Sequence, residues 1–308
     1  MNATTNAATN ATANAATNSA TAHPRSILTG LIGSGIGGSL SPAMHEREGR
    51  ELGLNYVYRR IDLEALGLAP AALPELLLAA QRMGFDGLNI TYPCKQAVIA
   101  LLDELSDDAR ALGAVNTVLF RDGQRIGHNT DWSGFARSFK RGLPDVSLES
   151  VVQLGAGGAG AAVAHAALMM GARALTLFDV DAARAEALAR ELQARFEEAR
   201  VTAGTDLAGA LRSASGLIHA TPTGMAKLPG MPLPAAYLQP HLWVADIVYF
   251  PIRTALLEAA EAIGCRTLPG GGMAVYQAAE ALRLFTGIEP DAERMYAHLE
   301  SLLAQGAQ

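Results

Sequence analysis

Six small residues, Gly155-Ala156-Gly157-Gly158-Ala159-Gly160, stand between an apolar run, Val151–Leu154, and an alanine-rich stretch, Ala161–Met170. A buried strand that ends in glycines and re-enters at once as a helix leaves few architectures open. Without a Cβ, the turn lets backbone N–H groups and a helix N-terminus come close to a phosphate. The next apolar run, Ala174–Phe178, is followed by Asp179. An acidic residue roughly 20 residues or more beyond the first glycine is the expected partner of an adenosine ribose hydroxyl. The pattern predicts a dinucleotide site built from Gly155, Ala156, Gly157, Gly158, Ala159 and Asp179. A carboxylate at Asp179 favours NAD over NADP because it repels a 2′-phosphate, and Asp181 adds to the repulsion. Arg184 offsets it in part, so NADP stays possible. Asp179 also reads as a turn or capping residue ahead of Ala182.

The rest of the chain alternates short apolar runs with helical stretches, which places it in the α/β class. Strands are predicted at Ile27–Ile32, Tyr56–Ile61, Gly87–Ile90, Gly216–Ala220 and Leu242–Val248. Helices are predicted at Ser41–Leu52, Leu73–Met83, Pro93–Leu105, Ala182–Arg200, Met273–Phe285 and Asp291–Ala304. Asp122-Gly123 between Val115–Phe120 and Arg125–His128 signals a hairpin. Leu143-Pro144-Asp145 interrupts the pattern as a linker does. With 308 residues, half of them hydrophobic, there is material for two domains with proper cores. The first 22 residues are almost all Asn, Ala and Thr, and a disordered tail is expected there. A net charge of −6 argues against nucleic acid and against a polybasic membrane anchor. Two cysteines suit a reducing cytoplasm and provide no zinc site.

Five polar clusters remain: Ser39-Leu40-Ser41-Pro42, Asn89-Ile90-Thr91-Tyr92-Pro93-Cys94-Lys95, Asn116-Thr117, Asn129-Thr130-Asp131, and Gly270-Gly271-Gly272-Met273 leading to Gln277. Taken singly, each has a plain structural reading: Ser41-Pro42 and Thr91 with Pro93 as helix starts, Asn116 as a turn residue, Gln277 as a solvated helix position.

Taken together and in this order, the clusters resemble the shikimate/quinate dehydrogenase family. The shared patterns are Ser39 to His45, Asn89 to Lys95, Gly113 to Thr117, Asn129 to Asp131, Gly155 to Ala159, Ala220 to Met225, and Asp246 to Pro251. The resemblance covers nearly everything after the tail. It implies a two-domain α/β chain: a tail over 1–24, a substrate domain over 25–130 and 271–308, and a Rossmann-type dinucleotide domain over 131–270. It implies Ser39, Ser41 and Tyr249 near a substrate carboxylate, and Thr91, Lys95, Asn116, Asp131 and Gln277 around ring hydroxyls. Thr221, Met225, Ile247 and Gly270 would lie along the cofactor. Two departures stand out. Asp179-Val180-Asp181 replaces the Asn-Arg-Thr of NADP-linked members, and His219 stands where the family usually has Asn.

The activity so implied is reversible, NAD-dependent oxidation of shikimate to 3-dehydroshikimate, of quinate to 3-dehydroquinate, or of both. An NADP-dependent biosynthetic or aminoshikimate-type enzyme is the alternative; a non-catalytic dinucleotide sensor is a third reading. The expected partner is a small-molecule substrate, with no metal, nucleic acid or membrane, in a cytoplasmic monomer or homodimer.

Oxidising a secondary alcohol requires the protein to manage a proton and a developing alkoxide. Lys95 and Asp131 are the residue types for that. A helix starting at Pro93 would put Lys95 in its first turn and lower its pKa. Lys95 then acts either as proton acceptor or as the cation facing the alkoxide. Asp131 is expected to begin a helix behind Thr130, which keeps it ionised.

Overall fold

The computed structural model describes residues 24–306. The expected tail therefore lies, but for Pro24, outside the described residues. The first half runs β1 (Ser26–Gly33), α1 (Ser41–Glu51), β2 (Asn55–Asp62), α2 (Leu73–Arg82), β3 (Gly87–Ile90), β4 (Glu104–Leu105), α3 (Asp107–Leu112), β5 (Thr117–Arg121), β6 (Gln124–His128) and α4 (Asp131–Gly142). The second runs β7 (Val151–Leu154), α5 (Gly158–Met169), β8 (Ala174–Phe178), α6 (Ala182–Arg195), β9 (Arg200–Ala203), α7 (Leu207–Ser213), β10 (Gly216–His219), β11 (Trp243–Asp246), α8 (Ala255–Ala262) and β12 (Arg266–Leu268). Helices α9 (Gly271–Thr286) and α10 (Ala292–Gly306) follow.

These strands form two sheets. The first has the order β2-β1-β3-β5-β6-β4. It is parallel through β1, β2 and β3, and antiparallel through β3, β5 and β6. The β5–β6 hairpin turns on Asp122 and Gly123, both at positive φ, 51° and 81°. Two such residues make the turn whose twist matches the strands. The second sheet has the order β12-β11-β10-β7-β8-β9 and is parallel throughout. Read from β9 this is the 3-2-1-4-5-6 order of a Rossmann sheet. Three of its four inner strands, β7, β10 and β11, are buried at every residue, as in a sheet covered on both faces. Thus the fold is two-domain α/β, an N-terminal substrate-type domain joined to a Rossmann-type domain.

Helices α4 and α9 pack closely through small residues. A Cβ on Gly134 would come 2.8 Å from the Gln277 amide nitrogen, and one on Gly272 would come 2.1 Å from Ser138 Oγ. Helix α4 also packs on α5, so it touches both halves of the molecule.

Three helix expectations are corrected. No helix runs from Pro93 to Leu105; a short 3₁₀ turn covers only Ala97–Leu101. The Lys95 carbonyl accepts the Val115 N–H at 2.9 Å, so it is not available to a helical ladder. The helix expected over Ala182–Arg200 stops at Arg195. There the Gln193 side chain donates to the Phe196 and Ala199 carbonyls and accepts from Val201 N–H, tying off a turn before β9. Helix α5 begins at Gly158, inside the glycine run and ahead of the expected Ala161.

Candidate active site

Lys95 sits in the turn after β3, and Asp131 is the first residue of α4, as expected for it. Lys95 Nζ lies 2.6 Å from Asp131 Oδ2, with side chains 20% and 10% exposed. The pair is largely shielded but still open to a small molecule. The helix that would have lent Lys95 its dipole is absent, and the charge beside the ammonium is the Asp131 carboxylate.

The other carboxylate oxygen is held as well. Asn116 Nδ2 donates to Asp131 Oδ1 at 2.9 Å, and the Asp131 N–H donates to Asn129 Oδ1 at 3.0 Å. Asn116 Oδ1 accepts from Thr130 N–H at 2.8 Å and from Thr117 Oγ1 at 3.0 Å. Thr117 Oγ1 accepts in turn from Asn89 Nδ2 at 3.0 Å. Asn89, Asn116, Thr117, Asn129 and Thr130 are all buried. Buried polar groups are satisfied or costly, so this network fixes Asp131 firmly.

The remaining family-implied residues are placed as follows. Ser39 and Ser41 meet, with their hydroxyls 3.3 Å apart at the start of α1. The helix cap there is Leu40 and uses no side chain, so capping does not account for Ser41. Thr91 joins the β1 edge through its N–H to the Ile32 carbonyl, 2.9 Å away. Gln277 reaches the cluster through its main chain: its carbonyl accepts from Thr130 Oγ1 at 3.1 Å, while its side-chain amide donates to Ala274 O. Tyr249 lies in the segment after β11, half-buried, and burial raises its phenol pKa. Among the described residues no hydrogen bond joins it to Ser39 or Ser41.

The glycine turn leaves β7 at the switch point of the second sheet, where neighbouring strands lead off to opposite sides and ligands bind. Gly155 has φ +96°, and a Cβ there would meet the Ala220 carbonyl at 2.4 Å and the Thr221 methyl at 3.1 Å. A Cβ on Gly160 would strike the Gly155 carbonyl at 2.3 Å. Gly157 and Gly158 face open space. So two glycines close the turn on itself, and two leave its outer side bare at the N-terminus of α5. That is a fit for a pyrophosphate and a poor use of glycine otherwise. Gly270 packs equally tightly, since a Cβ there would meet the Ile247 carbonyl at 2.3 Å. Met225 is 42% exposed and pairs as an isolated bridge with Leu228.

Asp179 follows β8 with its side chain 7% exposed. Its Oδ2 accepts from Ala156 N–H at 2.7 Å and its Oδ1 from Asp181 N–H at 2.9 Å. Asp179 is thus a turn residue, as the plain reading has it, and it also braces the glycine turn. Arg184 stands 3.7 Å from both Asp179 and Asp181, and Val180 between them is fully exposed.

Sequence reasoning did not single out Tyr58 or Gln153. Tyr58 OH donates to Asn89 Oδ1 at 2.8 Å. Gln153 Nε2 holds the Gly155 and Gly160 carbonyls at 2.8 Å each. Gln153 is the polar residue in the otherwise apolar run Val151–Leu154, and that contrast is the signal by which the sequence could have given it away; Tyr58 stands among the mixed residues of β2 and carries no such signal.

Two family models match the chain: the shikimate dehydrogenase substrate binding domain over residues 31–118, and the shikimate 5′-dehydrogenase C-terminal domain over 270–300. The shikimate dehydrogenase (NADP+) of Streptomyces avermitilis is 59% identical over 284 residues, 92% of this chain and 98% of its own. The quinate/shikimate dehydrogenase (NAD+) of Corynebacterium efficiens is 51% identical, over 90% of this chain and 99% of its own. The solved structure of quinate dehydrogenase from Corynebacterium glutamicum in complex with NAD superposes with a TM-score of 0.84 at 48% identity, over 90% and 99% of the two chains. The paired lysine and aspartate, the Rossmann order and this likeness along nine-tenths of the chain agree: it belongs to the shikimate dehydrogenase family, oxidoreductases acting on an alcohol group.

Proposed function

We propose that this chain oxidises shikimate, and quinate beside it, reversibly and with a preference for NAD. The Lys95–Asp131 pair carries the reading. Bound on the glycine turn, a nicotinamide dinucleotide supplies the hydride acceptor. The protein supplies the rest. The hydroxyl proton passes to the Lys95–Asp131 pair: to the Lys95 amine, or to the Asp131 carboxylate with Lys95 as the cation that meets the charge developing on the substrate oxygen. Asp131, held by Asn116 and Asn129, keeps Lys95 aimed and takes the same substrate hydroxyl within reach. Ser39 and Ser41 donate to the substrate carboxylate, and Tyr249 joins them as a protonated phenol. Thr91, Asn116 and Gln277 surround the ring hydroxyls. Gly155, Ala156, Gly157, Gly158 and Ala159 cradle the pyrophosphate, with Thr221, Met225, Ile247 and Gly270 along the rest of the dinucleotide. The substrate domain takes in 25–130 and 271–308, and the dinucleotide domain 131–270.

The NAD preference rests on Asp179 and Asp181, two carboxylates at the ribose edge that repel a 2′-phosphate. Arg184, within 3.7 Å of both, is the observation that favours NADP. Steady-state kinetics with shikimate and quinate, each with NAD+ and NADP+, decide both questions. Turnover of neither acid removes the proposed activity; a higher kcat/KM with NADP+ removes the preference.

A further inference from the structure

At the ends of β10 and β11 lies a polar cluster whose histidine and aspartate the reaction as described does not use. His219 and Asp246 are register partners on the two parallel strands, and both are buried, at 0% and 2% exposure. His219 Nδ1 lies 2.9 Å from Asp246 Oδ1, and His219 Nε2 lies 2.5 Å from Thr221 Oγ1. Asp246 Oδ1 also accepts from Val248 N–H at 2.9 Å, and its Oδ2 accepts from the buried Thr254 hydroxyl at 2.7 Å. The His219 carbonyl accepts from Ile247 N–H at 3.0 Å.

The contact with Asp246 decides which neutral tautomer His219 holds. A carboxylate only accepts, so His219 Nδ1 carries the hydrogen. In the neutral ring Nε2 is then a lone pair, and Thr221 must donate to it. The one hydroxyl hydrogen of Thr221 is thereby turned inward. Its oxygen is left as an acceptor, already used on one side by Thr223 N–H at 3.3 Å. An asparagine, the usual family residue here, has a donor in the place of Nδ1 and no atom in the place of Nε2. It would leave the Thr221 hydroxyl free to rotate.

We infer that His219 is a positioning residue for the dinucleotide: it fixes Thr221 as an acceptor and locks the loop after β10 to the loop after β11. The inference rests on the proposed function in one respect, that Thr221 faces the dinucleotide. A fixed acceptor suits a cofactor hydroxyl or amide that donates, and it saves the ordering of a free rotor on binding. The same imidazole ties that loop, through Asp246, to the segment that carries Ile247 and Tyr249. Its tautomer is set by the group on its other nitrogen, as in many histidine pairs.

The test is a double-mutant cycle on the full chain: wild type, H219N, T221V and H219N/T221V. NAD+ and NADP+ are each titrated without substrate, and kinetics are run with shikimate. H219N should weaken the better-bound dinucleotide about three- to tenfold, the worth of one lost neutral hydrogen bond. KM for the dinucleotide should rise with it, while kcat and the shikimate KM stay within about twofold. In the T221V background the same substitution should cost little, because its partner is already gone. H219Q, which keeps an acceptor for the Thr221 hydroxyl, should restore most of the affinity, and it carries the test if H219N does not fold. An equal loss from H219N in both backgrounds, or a tenfold loss in H219Q, overturns the inference. So does a T221V protein that binds both dinucleotides as the wild type does. Absence of turnover with intact dinucleotide binding would overturn the proposed substrates alone, because the cycle is read from binding.

Discussion

The phenol of Tyr58 donates to the side-chain carbonyl of Asn89 across 2.8 Å, in the floor of the first sheet. From there hydrogen bonds run without a break through Thr117 and Asn116 to the carboxylate of Asp131. A tyrosine on β2 thus helps to aim an aspartate on α4, and Lys95 is the end of the line. Burial raises the Tyr58 pKa well above its usual range, so it remains a donor at any working pH.

Breaking the first link should loosen the last. Tyr58→Phe leaves the Asn89 carbonyl buried without a donor, at about 1–3 kcal/mol. Urea denaturation should show that loss, and kcat should fall several-fold with the dinucleotide affinity unchanged. An unaltered midpoint and unaltered kcat would mean that the chain of bonds does not reach the site.

Lys95→Ala should lower kcat by orders of magnitude while NAD+ still binds nearly as in the wild type. The lysine follows β3 of the first sheet, and the glycine turn follows β7 of the second. Single-turnover measurement with pre-bound NAD+ separates the two effects. Near-normal turnover would show that Lys95 is a surface cation with a good partner and nothing more.

Asp179→Ala should cost NAD+ about tenfold in kcat/KM, the worth of a charge-assisted hydrogen bond. NADP+ should gain or hold, because the repulsion goes and Arg184 is released from one of its two carboxylates. Four kcat/KM values at saturating shikimate check this. Equal losses with both cofactors would leave Asp179 only its bond to Ala156 N–H, a loop brace.

Two of the buried histidines, His45 and His165, make the fold less stable in acid. Burial pulls His45 down to about 3 and lowers His165, the latter helped by Arg195. An unfolded histidine titrates near 6.5, so the stability at stake is whole above that pH. It is lost as pH falls from about 6.5 toward the folded values, because only the unfolded chain takes up the proton. Among the described residues neither ring nitrogen of His165 has a partner; both are buried, between Trp132 and Phe196. His165→Leu should therefore stabilise at pH 7 by about 1 kcal/mol or more and flatten the acid slope. Thermal midpoints of both proteins at pH 5 and 7 test it.

Much of this was legible in the residues. Gly87–Ile90, Val151–Leu154 and Ala174–Phe178 form strands with the bounds their apolar runs suggest, because a buried strand has nothing else to be. Asp122-Gly123 and Gly287 mark a hairpin and a helix end by chemistry that only left-handed backbone needs. The residues after Pro93 misled, because a local helix signal lost to a long-range bond from Val115. The amide chain behind Asp131 was hidden for the same kind of reason: its members come from β2, β3, β5 and α4, and no spacing in the chain announces that they meet.

The cradle of Gly155, Gly157, Gly158 and Gly160 is made of main chain, braced by Gln153 from beneath. Asp179, Asp181 and Arg184, where the proposed function puts the ribose edge, follow the next strand or lie in the next helix, and they are tied to the cradle by the bond from Ala156 N–H to Asp179. On the proposed function, grip and discrimination are therefore separate parts. A lineage can exchange one dinucleotide for the other by rewriting a handful of neighbouring codons, while the phosphate seat and the alcohol chemistry on the far sheet pass through unchanged.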